Sequence, residues 1–467
     1  ADSLIMHRIM AGEMPPGEKK VPADKVQIIE RWIAAGALTA REEPLKLDPG
    51  IGITSEERAY WAFQPIRRPD VPGVKAANLV RTPIDAFVLA KLESMGLSLN
   101  PEADRFTLLK RAYFDLIGLP PSPEETQAFL NDESPSAYDA MLDRLLESKH
   151  YGERWGRHWL DVAGYADSEG DGNTDTVRTY IYKYRDYVIK SLNADKPLNQ
   201  FVIEQLAGDE LVTPHYKNMS PETIDTLVAT GFLRMAADPT ASGQGDPDTS
   251  RNLVVTDTIK IVSSSLLGLS VGCAQCHDHR YDPIPQSDYY QLRAVFEPAL
   301  NWKSWVIPRD RVVSLYTDAD RAKAAEVEAD AGKLQAAYNE KQAKLVAEAF
   351  DKALEKFPED QREVLREAFK TPDDKRTDEQ KKLVATNPGL NVNPGVLYQF
   401  NAAAAEELKK DMAAIQAKRA EKPNEDFISV LTEPAGAPPV TNLSSRRSSP
   451  TDRHRETSRP DDRISGW

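Results

Sequence analysis

Cysteine is almost missing from this chain: Cys273 and Cys276 are the only two in 467 residues. A disulfide-stapled scaffold is thereby excluded. Long apolar runs are missing too. No stretch reaches the ~18 residues that a membrane-spanning helix requires, so no transmembrane segment is expected. Positive charge is in deficit, with 59 Lys and Arg against 73 Asp and Glu and a net charge of −14. Non-specific nucleic-acid binding needs a basic face, so nucleic acid is not an expected partner. G-x-S-x-G, P-loop and H-E-x-x-H patterns are absent, which removes common hydrolase, nucleotide and metalloprotease signatures. The first residues, Ala1-Asp2-Ser3-Leu4, have neither a basic nor an apolar leader region. A signal peptide is therefore expected to have been removed or to lie upstream.

What the chain has is concentrated in Val271-Gly272-Cys273-Ala274-Gln275-Cys276-His277-Asp278-His279. C-x-x-C-H is the attachment pattern of c-type haem. Two thiols add to the two porphyrin vinyl groups, and the following histidine is placed under the iron as an axial ligand. Cys273, Cys276 and His277 are thus the expected cofactor-binding residues, with haem c as the cofactor. Zinc on Cys273, Cys276, His277 and His279 is the main alternative. Two thiolates and two imidazoles suit zinc, but ligands packed this closely in sequence crowd a tetrahedron. A redox dithiol is a third reading, and it fits poorly because no strand–turn–helix setting surrounds the motif. His279 is too near His277 to reach the opposite face of the same haem. Candidates for a sixth ligand at a distance are His158, Met235, His215 and Met219, with His158 ranked first for its aromatic surroundings. An iron without a sixth ligand would be open to peroxide or small molecules.

Helical periodicity dominates the rest, so the expected fold class is mainly α, with long loops fitting 33 prolines. Apolar spacing marks helices at 26–36, 83–92, 106–116 and 137–146. The stripe in the second of these runs through Ile84, Phe87, Val88 and Leu92. Ser122-Pro123 before Glu124-Glu125 is a helix start. The stretch 236–252 reads as a loop, and 254–269 as a helix with Val255, Ile259, Val262, Leu266 and Leu269 on one stripe. Residues 318–357 and 397–415 carry two further stripes, Val327, Leu334, Tyr338, Leu345 and Phe350, then Leu397, Phe400, Ala404, Leu408, Met412 and Ile415. These predict an antiparallel coiled-coil-like hairpin joined by a polar stretch. From 443 the chain is rich in Ser, Arg and Asp and poor in apolar residues, which predicts disorder.

Two resemblances add to this reading. Met14-Pro15-Pro16 and Trp32-Ile33-Ala34-Ala35-Gly36-Ala37 resemble the C-terminal part of a small cytochrome c domain. By that resemblance Met14 would be the distal ligand of a haem whose attaching half is missing. Further on stand Arg157-His158-Trp159-Leu160-Asp161-Val162-Ala163, Tyr184-Arg185-Asp186 and Glu204-Gln205-Leu206-Ala207-Gly208-Asp209. With Gly272 to His279 and Asp282-Pro283-Ile284, these resemble the large secreted cytochrome-c-like proteins abundant in planctomycetes. The resemblance implies a cytochrome remnant at 1–40, a linker at 41–57 and a central helical domain at 58–310. The hairpin follows at 311–425, then a tail at 426–467 that opens a missing C-terminal domain.

The expected function is that of a periplasmic or secreted c-type haem protein in electron transfer, with a redox partner protein or domain, and coupling to the oxidation of a substrate is left open. Two other classes stand beside it: a zinc-stabilised binding or scaffold protein, and a carbohydrate-active enzyme using the Trp/Tyr cluster. Asp167-Ser168-Glu169-Gly170-Asp171-Gly172 has half of a calcium-loop pattern, but Arg178 stands where a bidentate carboxylate is needed. A less regular calcium or sugar site with Asp161, Asp167 and Asp171 competes with a plain solvated loop.

Overall fold

The computed structural model describes residues 3–17, 19–38, 54–170, 174–213, 216–243, 245–301 and 303–433. It is mainly α, as the periodicity predicts. The chain divides into two compact units, one drawn from Ala1–Leu97 and Ser270–Leu292, the other from Ser98–Leu269 and Arg293–Thr441. Residues 58–310 are therefore shared between both units.

In the first unit, α1 (Leu4–Met10) and α2 (Ala23–Ala34) bury no side chain. Gly36, at φ +96°, ends the second of them in the left-handed conformation that glycine adopts freely. Then come a single turn, α3 (Ser55–Arg58), and α4 (Pro83–Ser94). In α4 the buried residues are Ala86 and Leu89, whereas Ile84, Phe87 and Val88 are exposed. The predicted stripe was the wrong side of this helix, because apolar residues lie all round it and periodicity could not choose a face.

The second unit begins with α5 (Arg105–Leu116), α6 (Pro123–Asn131) and α7 (Ala137–Leu146), which share a core of Leu109, Tyr113, Phe129, Met141 and Leu145. Ser122 and Glu125 form a reciprocal cap: the Glu125 N–H donates to Ser122 Oγ and the Ser122 N–H to the Glu125 carboxylate. Next are α8 (Lys149–Ala163), α9 (Tyr182–Asn193), α10 (Leu198–Ala207) and α11 (Pro221–Ala229). Gly152 and Gly156 let α8 lie close on α9; a Cβ at Gly152 would sit 2.4 Å from the Ile189 carbonyl oxygen. The following helix, α12, spans Pro247–Val262 rather than 254–269. Asp246 caps it through the Thr249 N–H at 2.8 Å, and a π-helical turn at Ser263–Leu267 closes it before Gly268. The boundary at residues 292–293 falls inside α13 (Gln286–Phe296).

Two antiparallel three-residue strands follow, β1 (Val312–Ser314) paired with β2 (Phe427–Ser429), Val313 opposite Ile428. Ile428, Val430 and Leu431 are buried. The expected tail thus contributes residues 426–433 to the fold; its remainder lies outside the described residues, as does most of the 41–57 linker. Between the strands run α14 (Asp318–Leu354), α15 (Glu359–Lys370), α16 (Asp378–Thr386) and α17 (Ala402–Arg419). Lys341 pairs with Asp411, and Glu328 with Arg419. Rising numbers on α14 meet falling numbers on α17, so the hairpin is antiparallel. Its connection is not merely polar. Leu365 of α15 and Leu390 pack on Ala353 and Leu354 at the end of α14.

The stripe on α17 is buried at Ala404, Leu408 and Ile415, with Leu397 just before it, but on α14 Ala331 is buried and Leu334 is 44% exposed. Leu397→Ala should therefore cost about 3 kcal/mol through the cavity it leaves. Leu334→Ala should stay within about 0.5 kcal/mol. Urea unfolding of the two variants checks this ordering.

Candidate functional site

The Cys273–His279 stretch lies wholly in the first unit. Val271 to Gln275 form one 3₁₀ turn, with Val271 and Ala274 buried beneath it. Cys273 and Cys276 consequently face outward; both are exposed and neither is in a disulfide. The loop is held from behind by α13. The Gln275 carbonyl accepts from Gln286 Nε2 at 2.9 Å and from the Tyr290 hydroxyl at 3.3 Å. The Asp278 carboxylate accepts from the Gln286 N–H at 2.8 Å, the first turn of that helix.

The two histidines do different work. His277 is exposed, and its Nδ1 lies 2.7 Å from the Asp278 carbonyl oxygen. A carbonyl can only accept, so Nδ1 carries a proton, and in the neutral ring Nε2 is the nitrogen with the free lone pair. His279 is buried, at 6% exposure. Its Nδ1 accepts from the Tyr281 and Asp282 N–H groups, and its Nε2–H donates to Ser270 Oγ at 2.9 Å. Both ring nitrogens are spent on shaping the loop. The fourth ligand of the zinc alternative is thus engaged elsewhere, and among the described residues no three His, Cys, Asp or Glu side chains gather to hold a metal ion.

Met14, expected as the distal ligand of a separate haem whose attaching half is missing, is 45% exposed in the first unit. The sequence-predicted sixth ligands are His158, Met235, His215 and Met219. His158, Met219 and Met235 belong to the second unit. Met235 is buried in its core, and His215 lies outside the described residues. His158 is exposed on α8, 5.5 Å from the ring of Trp155. It lines an apolar groove of about 390 Å³ with Trp155, Trp159, Phe201, Leu198 and Lys196.

The phrases around His158 turn out to be largely architectural. Trp159 Nε1 donates to the Tyr184 hydroxyl at 3.0 Å and to Gln205 Oε1 at 2.9 Å, and Tyr184 donates to the same Gln205 oxygen. Glu204 is buried and accepts from Tyr187 at 2.8 Å, from Gln200 at 2.9 Å and from the Lys196 ammonium. Burial alone would raise its carboxyl, but the bonds from Lys196, Tyr187 and Gln200 outweigh burial and hold it below the ordinary carboxylate range.

The described acidic groups near this stretch have partners too. Asp167 accepts from the Tyr165 hydroxyl at 2.6 Å, Asp161 stands 3.9 Å from Arg157, and Glu169 forms a buried pair with Arg178 at 2.9 Å. Asp171 lies outside the described residues. The sequence reading missed the roles of Asp278 and His279 as loop-forming groups. Their signal was Pro285-Gln286-Ser287-Asp288, which opens a helix and needs an acceptor behind it.

No curated protein and no solved structure matches the chain. A family model does match, over a stretch that holds α8, the buried polar network and the Cys273–His277 motif, and it fits the planctomycete resemblance without assigning any chemistry. Residues 83–300 match the family described as PSCyt2, protein of unknown function (DUF1549).

Proposed function

We propose that the chain is an extracytoplasmic c-type haem protein that passes electrons to a redox partner protein or domain. The observation that supports this most is the arrangement of three side chains. Cys273 and Cys276 are both free and exposed, and with Nδ1 of His277 turned to the Asp278 carbonyl, Nε2 is the nitrogen that the neutral ring offers a ligand. This donor set fits the group. Two accessible thiols are what thioether attachment requires, and an oriented imidazole is what an axial iron ligand requires. Bound haem supplies a one-electron couple. Cys273 and Cys276 would fix the macrocycle covalently, and the Asp278 carbonyl would keep the His277 ring from turning. The buried His279 and α13 hold the loop that carries all three. Attachment of this kind takes place outside the cytoplasm, so the proposed location follows from the proposed cofactor.

The test is a pyridine haemochrome spectrum of denatured protein made with a c-haem maturation system. Covalent haem is expected in the unaltered chain and none in the Cys273→Ala, Cys276→Ala double variant. His277→Ala is expected to keep the thioethers but to change the spin state of the native protein. Colourless protein holding one equivalent of zinc would sink the proposal.

A further inference from the structure

We propose that a cavity beside the Ser168–Val177 bridge binds the oxyanion group of a small organic ligand, a carboxylate or a sulfate- or phosphate-like group, on Arg178 and Arg234. The cavity has a volume of about 230 Å³ and lies entirely within the second unit, lined by Glu169, Arg178, Tyr180, Arg234 and Arg309 among others.

The first argument is charge. Glu169, Arg178, Arg234, Asp238 and Arg311 are all buried, at 3–8% exposure. Among the described residues three guanidinium groups stand with two carboxylates, an excess of one positive charge, and of these five Glu169, Arg178 and Arg234 line the cavity. Buried charge is costly unless paired. Burial, followed by repulsion from Arg234, lowers Arg311 to about 9, and burial likewise lowers Arg234.

The second argument is an unused donor. Arg178 Nε donates to Glu169 at 2.9 Å and Nη2 to the Ala236 carbonyl at 2.7 Å. Its Nη1 is buried and has no partner among the described residues. Arg234 is scarcely better served: its contacts are carbonyls at 3.3–3.5 Å and the Glu169 carboxylate at 3.8 Å. These are long for charge-assisted bonds, which close to about 2.7–2.9 Å when well made. An oxyanion in the cavity would supply the missing charge and closer acceptors than the carbonyls Arg234 now meets.

The third argument is size and lining. A water occupies about 30 Å³ of liquid. The cavity exceeds what a bare inorganic oxyanion fills, and Ile181, Ile307 and Val312 give it apolar wall. That combination suits an anion with an organic body. Exposed Arg309 also borders the cavity and adds to the attraction.

Isothermal titration of the full chain with acetate, sulfate and benzoate, with benzamide as the neutral control, tests the site. Saturable one-site binding of an oxyanion is expected, with benzoate tighter than acetate or sulfate and no benzamide signal. Losing charge-assisted bonds in Arg178→Met/Glu169→Gln should weaken binding at least about tenfold. If that variant does not fold, Arg309→Glu, a surface change, should weaken it about threefold or more through repulsion. No saturable oxyanion binding by the folded chain, or affinity unchanged in a folded variant, would overturn the proposal. If sulfate alone binds, the organic body is wrong and the proposal fails in that form.

Discussion

Gly152→Ala is expected to destabilise the second unit by about 3 kcal/mol, at the upper end of what overpacking costs. The added methyl would lie 2.4 Å from the Ile189 carbonyl oxygen and 2.6 Å from Asn193 Oδ1. The first is backbone of α9 and cannot step aside. The second already accepts from the Gly152 N–H at 2.7 Å, so moving it breaks a bond that helps anchor the start of α8. Gly156→Ala is the control. Its methyl would meet the Ile189 side chain at 3.2 Å, a group that can change rotamer, and about 1 kcal/mol is expected. Urea unfolding followed by the fluorescence of Trp155 and Trp159 on α8 distinguishes them. Equal midpoints for the two variants would show that the α8–α9 approach is looser than this packing implies.

Lys196→Met is expected to cost about 3–5 kcal/mol at pH 7, because it leaves the Glu204 carboxylate buried without its cation. The pH dependence gives the mechanism away. In the native protein Glu204 is held below its ordinary 4.5, so its contribution is complete above that value. It is lost as pH falls through the lowered native value. Without Lys196, burial dominates and the carboxyl takes up a proton more readily. The deficit of the variant should therefore shrink as pH drops from 7 toward 4. Lys196→Met/Glu204→Gln should recover most of the stability at pH 7. Thermal unfolding of the single and double variants across that range reads both effects, and a deficit independent of pH would sink the ion-pair account.

Where a local signal and the core agreed, the sequence was legible. Ser122-Pro123 placed α6, and the Leu397–Ile415 stripe placed the buried face of α17. Other features failed for separate reasons. Asp246-Pro247 is a strong helix start, but it sits among Gly, Ser and Asp residues whose composition reads as loop. Leu365, Ala368 and Phe369 are too few among charges to announce α15. β1 and β2 are three residues each and pair across more than a hundred positions, so neither has a local signature. Arg178 and Arg234 come together only through long-range folding, and nothing near either in sequence marks them as a pair.

The register of Val313 against Ile428 has one more consequence. Just beyond it, the Leu315 N–H donates to the Asp426 carbonyl at 2.8 Å, so the chain leaves and re-enters at a single doorway. Everything between is a closed excursion, and its 37-residue first helix reaches about 55 Å at 1.5 Å per residue. Because the two ends already touch, changing the length of that excursion alters closure entropy only logarithmically. The reach of the arm is a free parameter, one that can be tuned without reworking the fold at its threshold.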